Sequence, residues 1–403
     1  MSQSKLKGYF EEYLQKKPLF KNKKALQANF TPDSISHRDS QIEYIASIMA
    51  PILRLDKPSN LFLYGKTGTG KTLTVKYTTS EIEGVAEERD LPIKIIYMNC
   101  KLKKSVDTEY RIIAQLAREF GKEIPATGLP TDEIYKIFYS VVDERSQSII
   151  IVLDEIDQLV KKIGDDVLYN LTRINSDLAK SQISIIGISN NLVFTDNLDP
   201  RVKSSLAEEE LVFPPYNALQ IQQILRERVS LAFHEGSVQE GLIEKCAAYA
   251  ARDHGDARRA IELLRVAGEI AEREKMDQIK IKHLDNAEDK IEKDRIIDIV
   301  STQPKQHQLV MYSIIRLSEQ QKEAIFTGEV YDVYKAFCKE MGMRPLTQRR
   351  VSDVIGEFDM LGLINVKVIS KGRYGRTREI LMAIPDKTQS RIKTMLEDDL
   401  GLS

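Results

Sequence analysis

Residues 65–72 read Gly65-Lys66-Thr67-Gly68-Thr69-Gly70-Lys71-Thr72, a complete GxxxxGK[ST] element between an apolar run and a helical pattern. The motif needs a strand before it and a helix after it, and both signals are present. Its glycines let successive backbone N–H groups turn toward one point. The helix N-terminus adds positive potential there, so the loop suits phosphate oxygens. Lys71 is then the amine for the β and γ phosphates of a nucleotide, and the Thr72 hydroxyl the ligand for its Mg²⁺. A Gly-rich turn without a ligand is the bland alternative.

A second element completes the first. Ser148–Leu153 is a continuous apolar run that ends in Asp154 and Glu155. A buried strand ending in two carboxylates places Asp154 on the Mg²⁺ and lets Glu155 polarise an attacking water. The ordinary alternative is an acidic strand-end cap. Four more runs, Leu61–Tyr64, Ile93–Met98, Ile183–Ser189 and Leu211–Phe213, also carry apolar residues on consecutive positions. Such runs fit strands covered on both faces. Helical patterns lie between them, so the expected core is a parallel, doubly covered α/β sheet over residues 25–214.

After Pro214-Pro215 the pattern becomes helical only, with expected helices Ala218–Phe233, Val238–Ala251, Asp256–Glu274 and Lys280–Lys293. Residues 215–295 therefore read as an all-helical lid. From 296 to 403, helices near 305–318, 328–341 and 347–361 precede an alternating stretch, Ile364–Ile384, with a Gly-rich middle. Three helices and a hairpin make the winged-helix pattern. Residues 1–24 hold seven lysines against two glutamates and read as a solvated basic arm.

Lys and Arg number 59 against 60 Asp and Glu, so any nucleic-acid surface must be a local patch. The C-terminal region offers one. Thr347, Gln348, Arg349 and Arg350 open the third helix, while Val351, Ile355, Phe358 and Leu361 turn toward the core. The N-terminal end of such a helix meets base edges, where Arg pairs with guanine and Gln with adenine. The hairpin Val366–Arg378 adds five basic residues and no acidic one, with Lys371, Arg373 and Arg376 about a glycine-rich tip. A solvated turn, or a winged helix used for protein contacts, is the competing interpretation. Cys100, Cys246 and Cys338 lie far apart without a CxxC spacing, which predicts neither a zinc site nor a disulfide framework. No apolar run approaches a membrane span and the N-terminus lacks a secretory core, so a cytoplasmic, nucleoid-associated location with no membrane partner is expected.

Leu153-Asp154-Glu155-Ile156-Asp157, Gly187-Ile188-Ser189-Asn190, Leu198–Leu206, Phe213-Pro-Pro-Tyr216 and Gly255-Asp256-Ala257-Arg258-Arg259-Ala260 together resemble the AAA+ superfamily. Within it the chain resembles the archaeal Orc/Cdc-type replication initiators over nearly its whole length. The resemblance implies that Asn190 is sensor I, with Asn191 the rival position. It makes Arg201 an arginine finger for a neighbouring copy, or else a surface salt bridge. Arg258 becomes sensor II, or else an ordinary ion pair. Tyr216 becomes a nucleotide-binding residue, and His37-Arg38 either flanks the adenine or caps a helix. Clamp-loader relatives carry an arginine where Ser205 stands, which argues for a mainly monomeric protein and slow turnover. The stretch from Asn99 to Phe138 is longer than a minimal crossover, and in such initiators an insertion here looks toward DNA.

The expected activity is that of an ATP-dependent initiator that binds duplex origin DNA and recruits the replicative helicase and further initiator copies. ATP hydrolysis to ADP and phosphate would be weak and would act as a switch. The alternatives are a signalling ATPase whose winged helix meets proteins, and a clamp-loader or remodelling subunit.

Overall fold

The protein is described here as a computed structural model covering residues 18–27, 30–32, 34–101, 108–125, 128–194, 198–206, 208–252, 254–320, 325–370 and 376–402. The chain divides into two compact units, residues 1–285 and 286–403. No helix among the described residues is long and apolar enough to cross a membrane.

The first unit is built on strands β1 (Asn60–Tyr64), β2 (Ile93–Asn99), β3 (Ser148–Asp154), β4 (Gln182–Ser189) and β5 (Glu208–Val212). They are parallel, in the order β2-β3-β4-β1-β5. Period-two alternation splits each apolar run between the two faces. Leu61, Leu63, Ile150 and Val152 pack with Ile45 and Met49 of α1 (Asp39–Met49) and Val75 of α2 (Lys71–Glu88). Phe62, Ile149, Ile151 and Leu153 pack on the other side. Their partners are α3 (Glu109–Glu119), α4 (Thr131–Val142), α5 (Ile156–Ile163) and α6 (Asp166–Arg173).

Several boundaries differ from the sequence expectation. β5 begins at Glu208 and stops before Phe213. It is an edge strand, so its acidic residues need no apolar partner, and an apolar-run criterion misses them. The Asn99–Phe138 stretch carries in its described part the helical face that Ile112, Leu116 and Phe120 lead one to expect, and this face is turned into the protein. Ile112, Leu116 and Ile134 are fully buried and Ile124 is 3% exposed, all in the sheet's core.

Gly187 marks the tightest packing in the sheet. A Cβ there would lie 2.6 Å from the ring of Phe62, which is itself fully buried and paired with Gly187 across β1 and β4. Gly187→Val should lower stability by about 1–3 kcal/mol, the usual cost of overpacking a core. Chemical denaturation should show the loss as a lower midpoint, and an unchanged midpoint would mean that Phe62 has somewhere else to go.

α7 (Pro200–Leu206) precedes β5 and buries Val202 and Leu206 in the sheet's core; the helical part contains α8 (Ala218–Ala232), α9 (Leu242–Arg252), α10 (Ala257–Arg273) and α11 (Ile281–Ser301). α8 opens on a reciprocal capping box between Asn217 and Gln220. The ninth helix starts at Leu242, later than its apolar pattern suggests, because Val238 pairs with Ile279 as an isolated bridge. Residues 19–24 are not a solvated arm. Leu19 and Phe20 are buried, Lys21 N–H donates to the Ala232 carbonyl at 2.7 Å, and Phe20 meets Phe233 with centroids 4.8 Å apart. Charge counting missed two apolar residues set among the lysines.

The second unit holds α12 (Lys305–Gln320), β6 (Ile325–Phe326), α13 (Thr327–Glu340), α14 (Gln348–Met360), β7 (Ile364–Ser370), β8 (Arg376–Met382) and α15 (Asp386–Leu400). The antiparallel sheet has the order β6-β8-β7. Val351, Val354, Ile355 and Phe358 of α14 enter one core with Ile364, Ile380 and the buried face of α15. The short β6 and α15 were not expected from sequence. Cys100, Cys246 and Cys338 are free and buried.

Candidate functional site

The glycine-rich loop leaves β1 at the edge of the sheet where Asp154 ends β3 and Asn190 follows β4. Gly68 and Gly70 have φ of +70° and +92°, a region that disfavours side chains. Contacts also demand glycine here. A Cβ on Gly68 would lie 1.8 Å from an Asp256 carboxylate oxygen, and one on Gly70 would lie 2.7 Å from the Tyr216 hydroxyl. α2 begins at Lys71 with no side-chain cap, so its first N–H groups face the loop.

Lys71 is 4% exposed and donates to the Gly65 and Lys66 carbonyls at 2.6 and 2.8 Å. Burial, and then the positive charge of Arg258, pull its pKa down to about 8 against the opposing pull of Asp154, Asp157 and Asp256. The Thr72 hydroxyl donates to Asp154 at 3.1 Å, so the two expected Mg²⁺ ligands stand side by side. The other Asp154 oxygen accepts the Glu155 N–H at 3.0 Å. Tyr97 of β2 also donates its hydroxyl to Asp154; burial, and then that bond and the carboxylate's charge, raise its pKa. Sequence reasoning missed Tyr97, since one tyrosine in an apolar strand carries no signal of what it faces.

Glu155 sits at φ 56°, ψ 45°, a left-handed conformation that costs a non-glycine residue of order 1–3 kcal/mol and is typical of functional sites. Its carboxylate is 3.6 Å from the Lys101 amine. Asp157, two residues on, accepts from the Ser189 hydroxyl and the Asn190 N–H, both at 3.3 Å. That ties the ends of β3 and β4 together. Asn191 uses its side-chain oxygen on the Val193 N–H at 3.1 Å. The Asn190 amide makes no such local bond among the described residues.

The lid helix α10 docks on this loop. Asp256 accepts from the Arg258 N–H at 2.8 Å and the Arg259 N–H at 3.2 Å, and from the Thr67 hydroxyl at 3.4 Å. The Ala257 N–H donates to the Gly68 carbonyl at 3.3 Å. An Asp-Ala-Arg helix start is a legible capping signal, but its tie to the loop is not legible from sequence. Arg258 is exposed and lines a cavity of about 800 Å³. Gly68, Gly70, Thr72, Tyr216 and Ile35 share that lining.

Arg38 is 2% exposed and has no carboxylate partner among the described residues. It donates to the carbonyls of Thr69 at 2.9 Å and Pro214 at 2.7 Å, and stacks 4.0 Å from the Tyr216 ring centre. Burial lowers its pKa. This links the loop to the start of the lid through one side chain, so it is no simple helix cap. Arg201 stands apart. Its side chain is 79% exposed and grips both oxygens of Asp199 at 3.1 and 3.2 Å. Ser205 bonds Thr172 at 2.9 Å.

In the second unit, the Thr347 side chain caps α14 by accepting from the Arg350 N–H at 3.3 Å. Gln348 and Arg349 are exposed. Arg350 leans back along its helix, 3.6 Å from Glu357 and 4.0 Å from Asp353. Lys371 and Arg373 lie outside the described residues, and for Arg376 only the backbone, in β8, is described.

Comparison with known proteins follows the same division of the chain. The AAA domain family matches residues 54–198, the Cdc6 AAA+ ATPase-type lid domain 222–289, and the CDC6 C-terminal winged helix domain 298–390. The chain is 51% identical over 395 residues to ORC1-type DNA replication protein 1 of Methanosarcina acetivorans, covering 98% of this chain and 94% of that protein. It is 50% identical over 404 residues to the ORC1-type DNA replication protein of Pyrococcus furiosus, covering 99% and 95%. A solved structure of the Aeropyrum pernix ORC1 protein in complex with DNA matches with a TM-score of 0.83 at 41% identity, covering 95% and 98%. A P-loop core, a Cdc6-type lid and a Cdc6-type winged helix in one chain, with half its residues shared with ORC1-type proteins along their length, place this protein in the ORC1/Cdc6 family of DNA replication initiators.

Proposed function

We propose that the protein is an ATP-controlled initiator that binds duplex DNA at a replication origin and there recruits the replicative helicase and other initiator copies. The observation that carries this is the docking of α10 on the phosphate loop, through Asp256, Thr67, Ala257 and Gly68. A change of phosphate charge in that loop acts directly on the lid.

The residues fit a nucleotide with Mg²⁺. The glycine cradle would collide with any Cβ, the Lys71 amine is buried beside it, and Thr72 and Asp154 meet with an oxygen each. Mg²⁺ would be held by Thr72 and Asp154, and would neutralise phosphate charge. Lys71 exchanges loop carbonyls for phosphate oxygens. Glu155 orients a water and accepts its proton, and the Asn190 amide fixes that water's direction. ATP and water then give ADP and phosphate. Arg258, at the N-terminus of α10, reports which of the two is bound. Tyr216 closes the base side of the cavity, and Arg38, outside the lining, holds that ring by stacking on it. Arg201 serves a neighbouring copy, and no described residue of its own site holds it, so turnover by a single chain is slow. On DNA, Thr347, Gln348 and Arg349 meet base edges, and Lys371, Arg373 and Arg376 meet phosphates or an adjacent minor groove.

Footprinting of the full-length protein across genomic DNA, with ATP, ADP or no nucleotide, tests the proposal. A discrete protected segment whose strength depends on the nucleotide is expected. Uniform or absent protection in all three conditions would leave a protein-contact role for the winged helix.

A further inference from the structure

Arg378 is one of five basic residues in the hairpin, but its side chain does not turn outward. Along β8, residues 378 and 380 share a face, and Ile380 is fully buried in the core of the unit. Arg378 lies one step nearer the hairpin tip on that face, paired across the ladder with Val368. From there its Nη1 donates to the backbone carbonyl of Ser352, in α14. No carboxylate of the described residues pairs with it.

The guanidinium passes over Gly356. A Cβ at Gly356 would lie 3.4 Å from Nη1 and 3.9 Å from Nη2 of Arg378, an ordinary van der Waals contact, so only a side chain longer than alanine's would enter the path. α14 carries the exposed Gln348 and Arg349, and β7 and β8 carry the basic tip.

We propose that Arg378 is a positioning residue that braces the wing hairpin against the recognition helix, fixing the angle between two DNA-reading elements, and that it does not itself contact phosphate. This rests on the duplex-binding function proposed above. A bond to phosphate and a brace make opposite predictions. Each neutralised phosphate contributes about −0.9 to the slope of log affinity against log salt. A lost phosphate contact makes the slope shallower and weakens all duplexes alike. A lost brace leaves the slope unchanged and lowers only discrimination, because non-specific binding needs no fixed angle.

Full-length parent, Arg378→Ala, Arg378→Lys and Gly356→Leu proteins are titrated with two probes at several salt concentrations. One probe is a duplex selected from random sequence by the parent, the other a scrambled duplex of equal composition. Arg378→Ala should lose about tenfold in the ratio of the two affinities, comparable to one mismatched base pair, with the parent's salt slope. Arg378→Lys, which can still reach the Ser352 carbonyl, should recover most of the ratio. Gly356→Leu should lose it with every charge intact, and it carries the test if Arg378→Ala does not fold. A shallower slope with an unchanged ratio in Arg378→Ala overturns the brace. Amide exchange in the proteins without DNA supplies a separate readout. Arg378→Ala should speed exchange at residues 366–370 and leave the buried stretch of α12 at the parent rate. If the parent binds neither duplex, the duplex-binding function fails. Unchanged exchange in Arg378→Ala then sinks the brace as well, and faster exchange there retains it as a link between the two elements.

Discussion

Glu155→Gln is expected to hold ATP as tightly as the parent and to turn it over about 10²–10⁴-fold more slowly, the usual contribution of a positioned general base. The substitution keeps size and shape and removes only the ability to take a proton. Among the described residues the Glu155 carboxylate makes no hydrogen bond to the loop, and its ion-pair partner there is Lys101 at 3.6 Å. Binding therefore has no reason to change. Lys71→Ala is the complementary case. It removes the buried amine that faces the phosphates, and truncating one partner of a buried charge pair costs about 2–5 kcal/mol, so affinity should fall roughly 30-fold or more. A fluorescent ATP analogue measures the first property and phosphate release the second. Parental turnover in Glu155→Gln would assign proton transfer elsewhere. Asp154 is committed to Thr72 and Tyr97, and Asp157 is occupied with Ser189 and the Asn190 N–H, so such a result would require some of those bonds to break during turnover.

The parts of the site legible in sequence are those whose chemistry is carried by spacing. GxxxxGK[ST] after a buried strand determines Lys71 and Thr72, and a buried strand ending in Asp-Glu determines Asp154 and Glu155. Their partners are not legible. Tyr97 reaches Asp154 only because β2 and β3 pair in register, Asn99 beside Asp154. Asp256 reaches the loop only because the lid folds back on it. Sequence left Arg38 between flanking an adenine and capping a helix, whereas its side chain is buried and bridges Thr69 and Pro214, segments far apart in the chain. The fold follows the same rule. β3 is buried on both faces and shows as an unbroken apolar run, and β4 shows as one broken by Ser184, whereas the edge strand β5 hides three glutamates. Leu19 and Phe20 pack on the lid although lysines outnumber apolar residues around them. Distance in sequence, rather than weakness of interaction, separates what was readable from what was not.

Arg349→Ala and Arg350→Ala should behave differently, although sequence places both at the start of the recognition helix. Arg349 is exposed, and its neighbours on the helix leave it free to meet a base edge. Losing a bidentate arginine–guanine contact costs about 1–3 kcal/mol and relaxes choice at one base pair. Arg350 lies 100° further round. Asp353 and Glu357, three and seven residues on, share its face, and its guanidinium stands 4.0 and 3.6 Å from them. Glu357 also approaches the His307 ring nitrogen at 3.5 Å. Arg350 thus masks two carboxylates on a surface that must approach phosphates. Arg350→Ala should expose them, weaken every duplex to a similar degree and leave sequence preference as in the parent. Affinities for a panel of single-base variants of a bound duplex separate the two patterns. A position-specific loss in Arg350→Ala would show that the arginine leaves Glu357 when DNA arrives. A uniform loss in Arg349→Ala would move base reading away from this residue, leaving Gln348 and Thr347 to supply it.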